Sequence, residues 1–216
     1  PEVRERVVPQ VLAGEKIIAL AVTEPGGGSD VASLQTRAIR DGDHYRVSGS
    51  KTFITSGIRA DFYTVAVRTG GPGFAGISLL LIEKDTPGFA VGQPLKKMGW
   101  WASDTAELFF DDCRVPVGNL IGAENMGFAC IMGNFQSERL ALALMANMTA
   151  QLALEESLKW AAEREAFGRP IGKFQVIKHR LAEMATALEV SREFTYRQAA
   201  KMAAGQSVIK EISMAK

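Results

Sequence analysis

The sequence predicts an α+β protein: an antiparallel β-barrel or sandwich as a middle domain, followed by long antiparallel helices of an incomplete helical bundle. Three observations predict it. Residues 15–121 hold most of the glycine and proline, and short β-rich runs alternate there with turn signals. No proline occurs between Pro116 and Pro170, where Ala, Leu, Met, Glu and Lys dominate. Beyond that, Phe174, Ile177, Leu181, Met184 and Leu188 recur at alternating spacings of three and four, which makes one apolar helical stripe.

The elements follow in order. Residues 2–12 predict a short helix, and residues 1–14 read as the end of a preceding helical domain. Ile17–Val22 is the first β-rich run. Gln35–Arg40 and His44–Ser48 flank Asp41-Gly42-Asp43 and predict a hairpin. Phe62–Arg68 and Ile77–Glu83 are the strongest strands, and Phe89–Val91 and Glu107–Phe110 follow. Strands so close together leave no room for crossover helices, which is why residues 15–122 predict a barrel or sandwich. Residues 123–216 predict a truncated helical domain. Its first helix runs over about Asn125–Arg164, its second ends at Gly205, and Ser207 is placed to cap a third.

Composition excludes several classes. The chain of 216 residues is 47% hydrophobic and 23% charged with a net charge of +1, so no strong field invites nucleic acid or an anionic membrane surface. No apolar run is long enough to span a bilayer. Cys113 and Cys130 form neither a disulfide framework nor a metal-ligand spacing, and no metal is expected. Pro1-Glu2-Val3-Arg4-Glu5-Arg6 has no character of a targeting segment. The missing initiator Met and a last helix that runs into Met214-Ala215-Lys216 lead us to expect a piece of a longer protein.

The most informative segment is Ala21-Val22-Thr23-Glu24-Pro25-Gly26-Gly27-Gly28-Ser29-Asp30. It leaves a strand and enters a loop. Its glycines predict close backbone approach to a ligand and positive φ, and Thr23 and Ser29 add hydroxyl donors. Such a loop suits a phosphate or an electron-rich ring edge, and equally a tight surface turn.

The string Val-Thr-Glu-Pro-Gly-x-Gly-Ser-Asp resembles the signature of acyl-CoA dehydrogenases. Four more segments match that family in order. They are Gly49-Ser50-Lys51-Thr52-Phe53-Ile54-Thr55-Ser56-Gly57, Asp85-Thr86-Pro87-Gly88, Met98-Gly99-Trp100-Trp101-Ala102-Ser103-Asp104-Thr105, and Arg164-Glu165-Ala166-Phe167-Gly168 with Phe174-Gln175 after it. The resemblance covers essentially the whole chain.

The resemblance implies FAD bound without a dinucleotide fingerprint, and none is present between a strand and a helix. It implies that Leu20, Val22, Thr23, Gly28 and Ser29 line the flavin, with Ser29 also touching pyrophosphate or acyl-CoA. Phe53, Ile54 and Thr55 are implied to cover the flavin face away from substrate. Arg164, Phe167 and Gln175 are implied to reach the FAD of a neighbouring subunit, hence a homo-oligomer, either a dimer or a tetramer, and Phe174 is implied to bind the cofactor as well. The planar guanidinium of Arg164 suits phosphate oxygens; an ion pair with Glu163 or Glu165 is the plain alternative.

The implied reaction is α,β-dehydrogenation of an acyl-CoA thioester, with electrons passed to an electron-transfer flavoprotein. It needs a carboxylate base in a dry site. A branch of the family resembling isovaleryl-CoA and long-chain enzymes carries that base on the first long helix, just before an Arg. Here that position is Glu138, with Arg139 and Gln136 implied near the CoA portion. Phe135 and Leu142 share the face of Glu138 and are expected to desolvate it; a solvated helix carboxylate is the bland alternative. The rival readings are an acyl-CoA oxidase or other flavin enzyme of the superfamily, and an inactive binding fragment. The implied location is the cytoplasm of a bacterium or the mitochondrial matrix of a eukaryote. Trp100-Trp101 reads as loop packing between the domains, with a substrate-facing role as the alternative, and Asp111-Asp112 as a solvated turn.

Overall fold

The computed structural model describes residues 2–216, so Pro1, the first residue of the expected leading segment, lies outside the described residues. The chain divides into two compact units, Pro1–Ile131 and Met132–Lys216, a division that falls inside the first long helix.

The first unit is a sheet with one helix against it. Helix α1 (Glu2–Leu12) is followed by β1 (Ile18–Ala21), β2 (Arg37–Asp41), β3 (His44–Thr55), β4 (Phe62–Arg68), β5 (Ile77–Glu83), β6 (Phe89–Val91), β7 (Thr105–Pro116) and β8 (Leu120–Ile121). The pairing order is β6-β7-β3-β2-β4-β5-β8, with β1 also on β4. The path is open, and no closed barrel forms. Nor is the sheet wholly antiparallel: β1 and β2 both run parallel to β4, β2 through the single pair Arg37–Arg68. Closely spaced strands do not force antiparallel pairing, because β1 reaches β4 by a route that passes through the hairpin between them.

Side chains from both wings of the path, Val47, Leu108 and Val115 on one and Val65, Leu80 and Ile82 on the other, meet in one buried cluster. The sheet therefore bends over itself as a sandwich does. The leading helix packs on the sheet: Val7 meets Phe62 and Leu81, and Arg6 pairs with Glu83. The predicted hairpin forms, with Asp41 opposite His44 and Gly42 at φ 63° in its turn.

Two strands are longer than their sequence signal because each carries a bulge. Between Lys51 and Ile54, β3 has one residue more than β7, and between Cys113 and Phe110 β7 has one more than β3. The second bulge sits at Asp112, φ 49°, so Asp111-Asp112 lies within a strand rather than at a turn. Asp112 is held there by Arg46. The first bulge bears on the site.

The second unit contains most of α2 (Gly127–Glu163), then β9 (Glu165–Ala166), β10 (Arg169–Pro170), α3 (Gln175–Ala203) and α4 (Ile209–Ala215). Leu140 of α2 packs on Val208 and Ile212 beside α4, with Leu144, Ala199 and Met202 around them. Between α2 and α3 the contact is polar: Asn147 Nδ2 donates to Thr195 Oγ1 at 3.1 Å, and Ser191 Oγ donates to Asn147 Oδ1 at 2.7 Å. The residues α3 buries fully are therefore Thr195 and Gln198, while the predicted stripe from Phe174 to Leu188 stays half-buried or exposed. Gly205 ends the α3 region at φ 75° as predicted. Ser207 does not cap α4; Val208 occupies the cap position, without a side-chain hydrogen bond.

Candidate active site

In the first unit the glycine-rich loop is a tight hairpin turn. Glu24 and Gly27 exchange both backbone hydrogen bonds, at 3.1 and 3.0 Å, with Pro25-Gly26 at the corner. The expectation of positive φ fails here: Gly26, Gly27 and Gly28 all have ordinary backbone angles. Their use is space. A Cβ on Gly26 or Gly27 would meet nothing within 4 Å, so the loop presents bare backbone to a ligand. A Cβ on Gly28 would stand 3.0 Å from Thr23 Cγ2, so Gly28 leaves room for the Thr23 side chain.

The unusual angles sit one strand away. Phe53, the extra residue of the β3 bulge, has φ 58°, and Ser56 has φ 60°. A left-handed phenylalanine costs about 1–2 kcal/mol. Packing does not compensate it, since Phe53 is 67% exposed. The bulge turns an apolar ring outward and holds it there. The amide of Thr52 donates to the carbonyl of Thr23 at 2.9 Å, which brings loop and bulge together.

The expected lining residues fall unevenly. Thr23, Gly28 and Ser29 reach the surface in the loop, and Phe53 and Thr55 are exposed on the bulge. Leu20 is half-buried. Val22 is buried and offers backbone, its carbonyl already accepting from Lys51. Ile54 cannot cover a ligand with its side chain: it is 2% exposed and belongs to the sheet core, because the bulge restores the inward alternation right after Phe53.

Two residues of the same motifs escaped the sequence reading. Lys51 is fully buried, and its Nζ donates to Glu24 Oε1 at 2.8 Å and to the Val22 carbonyl at 3.0 Å. Glu24 accepts in addition the amides of Gln35 at 2.6 Å and Thr36 at 2.8 Å. Burial pulls the Lys51 ammonium down to about 8, against the pull of Glu24. Burial pushes the Glu24 carboxyl up, but Lys51, Thr36 and Gln35 together outweigh it and leave the carboxyl below its usual range. Removing a lysine from water is costly by several kcal/mol, and an apolar residue of equal size would cost less. The available signal was a lysine among alternating core positions of a strand.

In the second unit, Glu138 is exposed on α2 and accepts from Asn134 Nδ2 one turn earlier. Of the two apolar residues expected on its face, Phe135 is half-buried and Leu142 is 45% exposed. Arg139 is half-buried, and Gln136 Nε2 turns back toward the Met132 carbonyl, 3.4 Å away.

After α2, Glu165–Pro170 forms a small hairpin with Ala166 opposite Arg169. Its two corner residues, Phe167 and Gly168, both have positive φ, 53° and 75°, as a type I′ turn requires. Asn-Gly is the ordinary choice there. Phe167 instead is 95% exposed, a second strained and uncovered phenylalanine. Phe174 lies nearby, its centroid 6.1 Å from that of Phe167, with the Arg169 guanidinium 4.4 Å over its ring. Arg164 and Gln175 are exposed, and the Arg164 backbone is anchored by the Ile171 amide at 2.7 Å. Trp100 and Trp101, expected as packing, expose their rings within the first unit, with the indole N–H of Trp101 on the Lys97 carbonyl.

Residues 19–113 match the acyl-CoA dehydrogenase middle domain, and residues 125–216 match the acyl-CoA dehydrogenase C-terminal domain. The chain belongs to the acyl-CoA dehydrogenase family. It is 42% identical over 215 residues to cyclohexane-1-carbonyl-CoA dehydrogenase of Geobacter metallireducens, covering 100% of this chain and 57% of that protein. It is also 57% identical to a probable acyl-CoA dehydrogenase from Mycobacterium abscessus, with TM-score 0.95, covering 98% of this chain and 56% of that one. The FAD complex of PigA, 32% identical, superposes with TM-score 0.95 over 99% of this chain and 56% of its own. The chain thus spans little more than half the length of these relatives. Among the described residues, no helix is long and apolar enough to cross a membrane, and no cluster of His, Cys, Asp and Glu could hold a metal ion.

Proposed function

We propose that the protein carrying this chain dehydrogenates an acyl-CoA thioester with FAD and passes the electrons to an electron-transfer flavoprotein. The observation that carries this reading is the Thr52–Thr23 hydrogen bond. It ties the segment that carries the Thr23 hydroxyl and the open backbone of Gly26-Gly27 to the residue just before Phe53, whose ring is exposed. Donors next to a flat apolar plate fit a cofactor that is a polar-edged ring with a pyrophosphate tail. Thr23, Gly28 and Ser29, with the backbone of Val22, hold the ring edge and pyrophosphate, flanked by Leu20. Phe53 and Thr55 cover one face, with Ile54 contributing backbone only.

When bound, FAD supplies the acceptor for the hydride that leaves the β carbon. Glu138 takes the α proton; the electron pair of that C–H bond becomes the new C=C bond, and the β hydrogen departs with its own pair. Arg139 and Gln136 orient the CoA portion, and Ser29 also touches it. Arg164, Phe167 and Gln175 serve the FAD of a second subunit, and Phe174 also binds the cofactor. The bare Phe167 ring, held out by a strained turn, supports that role and a dimer or tetramer. The location that follows is the cytoplasm in a bacterium and the mitochondrial matrix in a eukaryote.

The test is anaerobic mixing of the flavin-loaded full-length protein with a panel of acyl-CoA thioesters. Bleaching of the oxidised flavin is expected with at least one. Glu138→Gln should retain FAD and slow bleaching by about 10²–10⁴-fold. Unchanged bleaching refutes the role of Glu138, and fast reoxidation of the bleached flavin by oxygen replaces the dehydrogenase reading with an oxidase.

A further inference from the structure

We propose that the buried Glu24–Lys51 pair is a positioning device that fixes the Val22–Ser29 segment for FAD before the cofactor arrives. The proposal rests on the reading that FAD binds at this loop. The geometry is a closed set of bonds around one carboxylate. Glu24 stands at the start of the loop, and the amides it accepts, those of Gln35 and Thr36, stand at its end. Residues 25–34 are therefore pinned at both ends to a single side chain. Lys51 ties that side chain to β3 and also holds the carbonyl of Val22, one residue before Thr23. The next residue of β3, Thr52, holds the carbonyl of Thr23 itself. The carbonyls of Val22 and Thr23 are thus both referred to two adjacent residues of one core strand.

The far side of the loop is fixed separately. The Arg68 guanidinium donates to the carbonyls of Ala32 and Leu34 and to those of Gly71 and Gly73. Gly49, two residues before Lys51, lies so close to Thr36 that a Cβ would stand 2.7 Å from the Thr36 Cα. A buried lysine is a poor way to fill a core and a good way to satisfy a carbonyl and a carboxylate at one point. Pre-ordering a binding loop raises affinity by removing the ordering cost from the binding step. The pair acts through the loop and touches no substrate, so Glu24 and Lys51 are positioning residues.

The experiment uses the full-length protein, stripped of FAD and titrated with FAD while flavin fluorescence and visible circular dichroism are recorded. Lys51→Met and the double variant Lys51→Met/Glu24→Gln, which removes both charges at nearly constant volume, are compared with wild type. Both are expected to weaken FAD binding at least tenfold in the folded fraction and to alter the visible dichroism of the flavin. A merely structural role would lower the melting temperature of the stripped protein and leave both readouts unchanged; FAD binding within twofold of wild type overturns the proposal. Amide exchange on stripped wild-type protein needs no variant to fold. The amides of Gln35, Thr36 and Thr52 are expected to be protected already, and protection that appears only with FAD also overturns it. Wild-type protein that takes up no FAD overturns instead the function reading on which the pair's role depends.

Discussion

Thr52 and Thr23, 29 residues apart in the chain, are joined by one backbone hydrogen bond of 2.9 Å, and on either side of it stand the two features that define the site. Before Thr23 lies buried strand; after it, the bare glycine turn. After Thr52 comes Phe53, the bulge residue at φ 58°. Loop and plate are therefore one mechanical unit.

The strain at Phe53 predicts a separation of stability from binding. Phe53→Gly relieves about 1–2 kcal/mol of backbone strain and loses little burial, against roughly 0.5–1 kcal/mol of added unfolded-state entropy. Denaturant unfolding of the FAD-free protein should change by less than about 1 kcal/mol, while FAD affinity falls. A stability loss well above that, with affinity intact, would show the ring to be a core residue.

Gly28→Ala should act on Thr23. The added Cβ meets Thr23 Cγ2 at 3.0 Å, so the threonine must give way by a few tenths of an ångström. Unfolding is expected to change by about 1 kcal/mol or less, because both residues are at the surface. FAD titration should show weaker binding, and Gly26→Ala, which meets nothing within 4 Å in the protein, separates a ligand clash from a displaced threonine.

Gly49→Ala should be far worse. Gly49 has φ 145°, and its Cβ would collide with the backbone of Thr36. The collision has no flexible side-chain end to absorb it. A loss of about 2–4 kcal/mol in urea unfolding is expected; a loss under 0.5 kcal/mol would mean that β3 and the Thr36 segment part easily.

Lys51 predicts an alkaline signature. Its pKa falls from 10.5 unfolded to about 8 folded, mainly through desolvation. Between those values the unfolded chain binds more protons, so stability rises with pH in that window. The penalty for burying the cation is full below about 8 and fades toward 10.5. Compared with Lys51→Met, wild type should therefore gain between about 1 and 2 kcal/mol of unfolding free energy from pH 7.5 to 9.5. A flat or falling difference would contradict the assignment.

In the second unit, Asn147→Ala should cost about 1–3 kcal/mol, because it takes the acceptor from the Ser191 hydroxyl and a donor from Thr195 Oγ1, which keeps only its own bond to the Ser191 carbonyl. Pairing it with Thr195→Val should cost less than the two changes summed. Strict additivity in urea unfolding would show that the network is not shared.

Much was legible in the chain itself. Phe62–Arg68, Ile77–Glu83 and Phe89–Val91 appear where β-branched and aromatic runs stand between turn residues, and α2 fills the proline-free stretch, because these choices depend on near neighbours. The five motifs fixed the family for the same reason: they are local strings. Bulges, parallel pairs and buried polar partners are not local. Nothing in Ser50-Lys51-Thr52 says that Glu24 will meet that lysine, or that Gln35 and Thr36 will complete the set. Phe53 has no propensity for positive φ; the pairing of β3 with β7 imposes it by leaving one residue over. The open order of the sheet and the polar seam of α2 with α3 arise likewise, since burial and pairing are decided by segments far apart in sequence. By itself the sequence determined which segments are strands and helices and which family they compose; the tertiary structure alone decided which charges are buried together and which rings are held out, because only folding brings their partners within hydrogen-bonding distance.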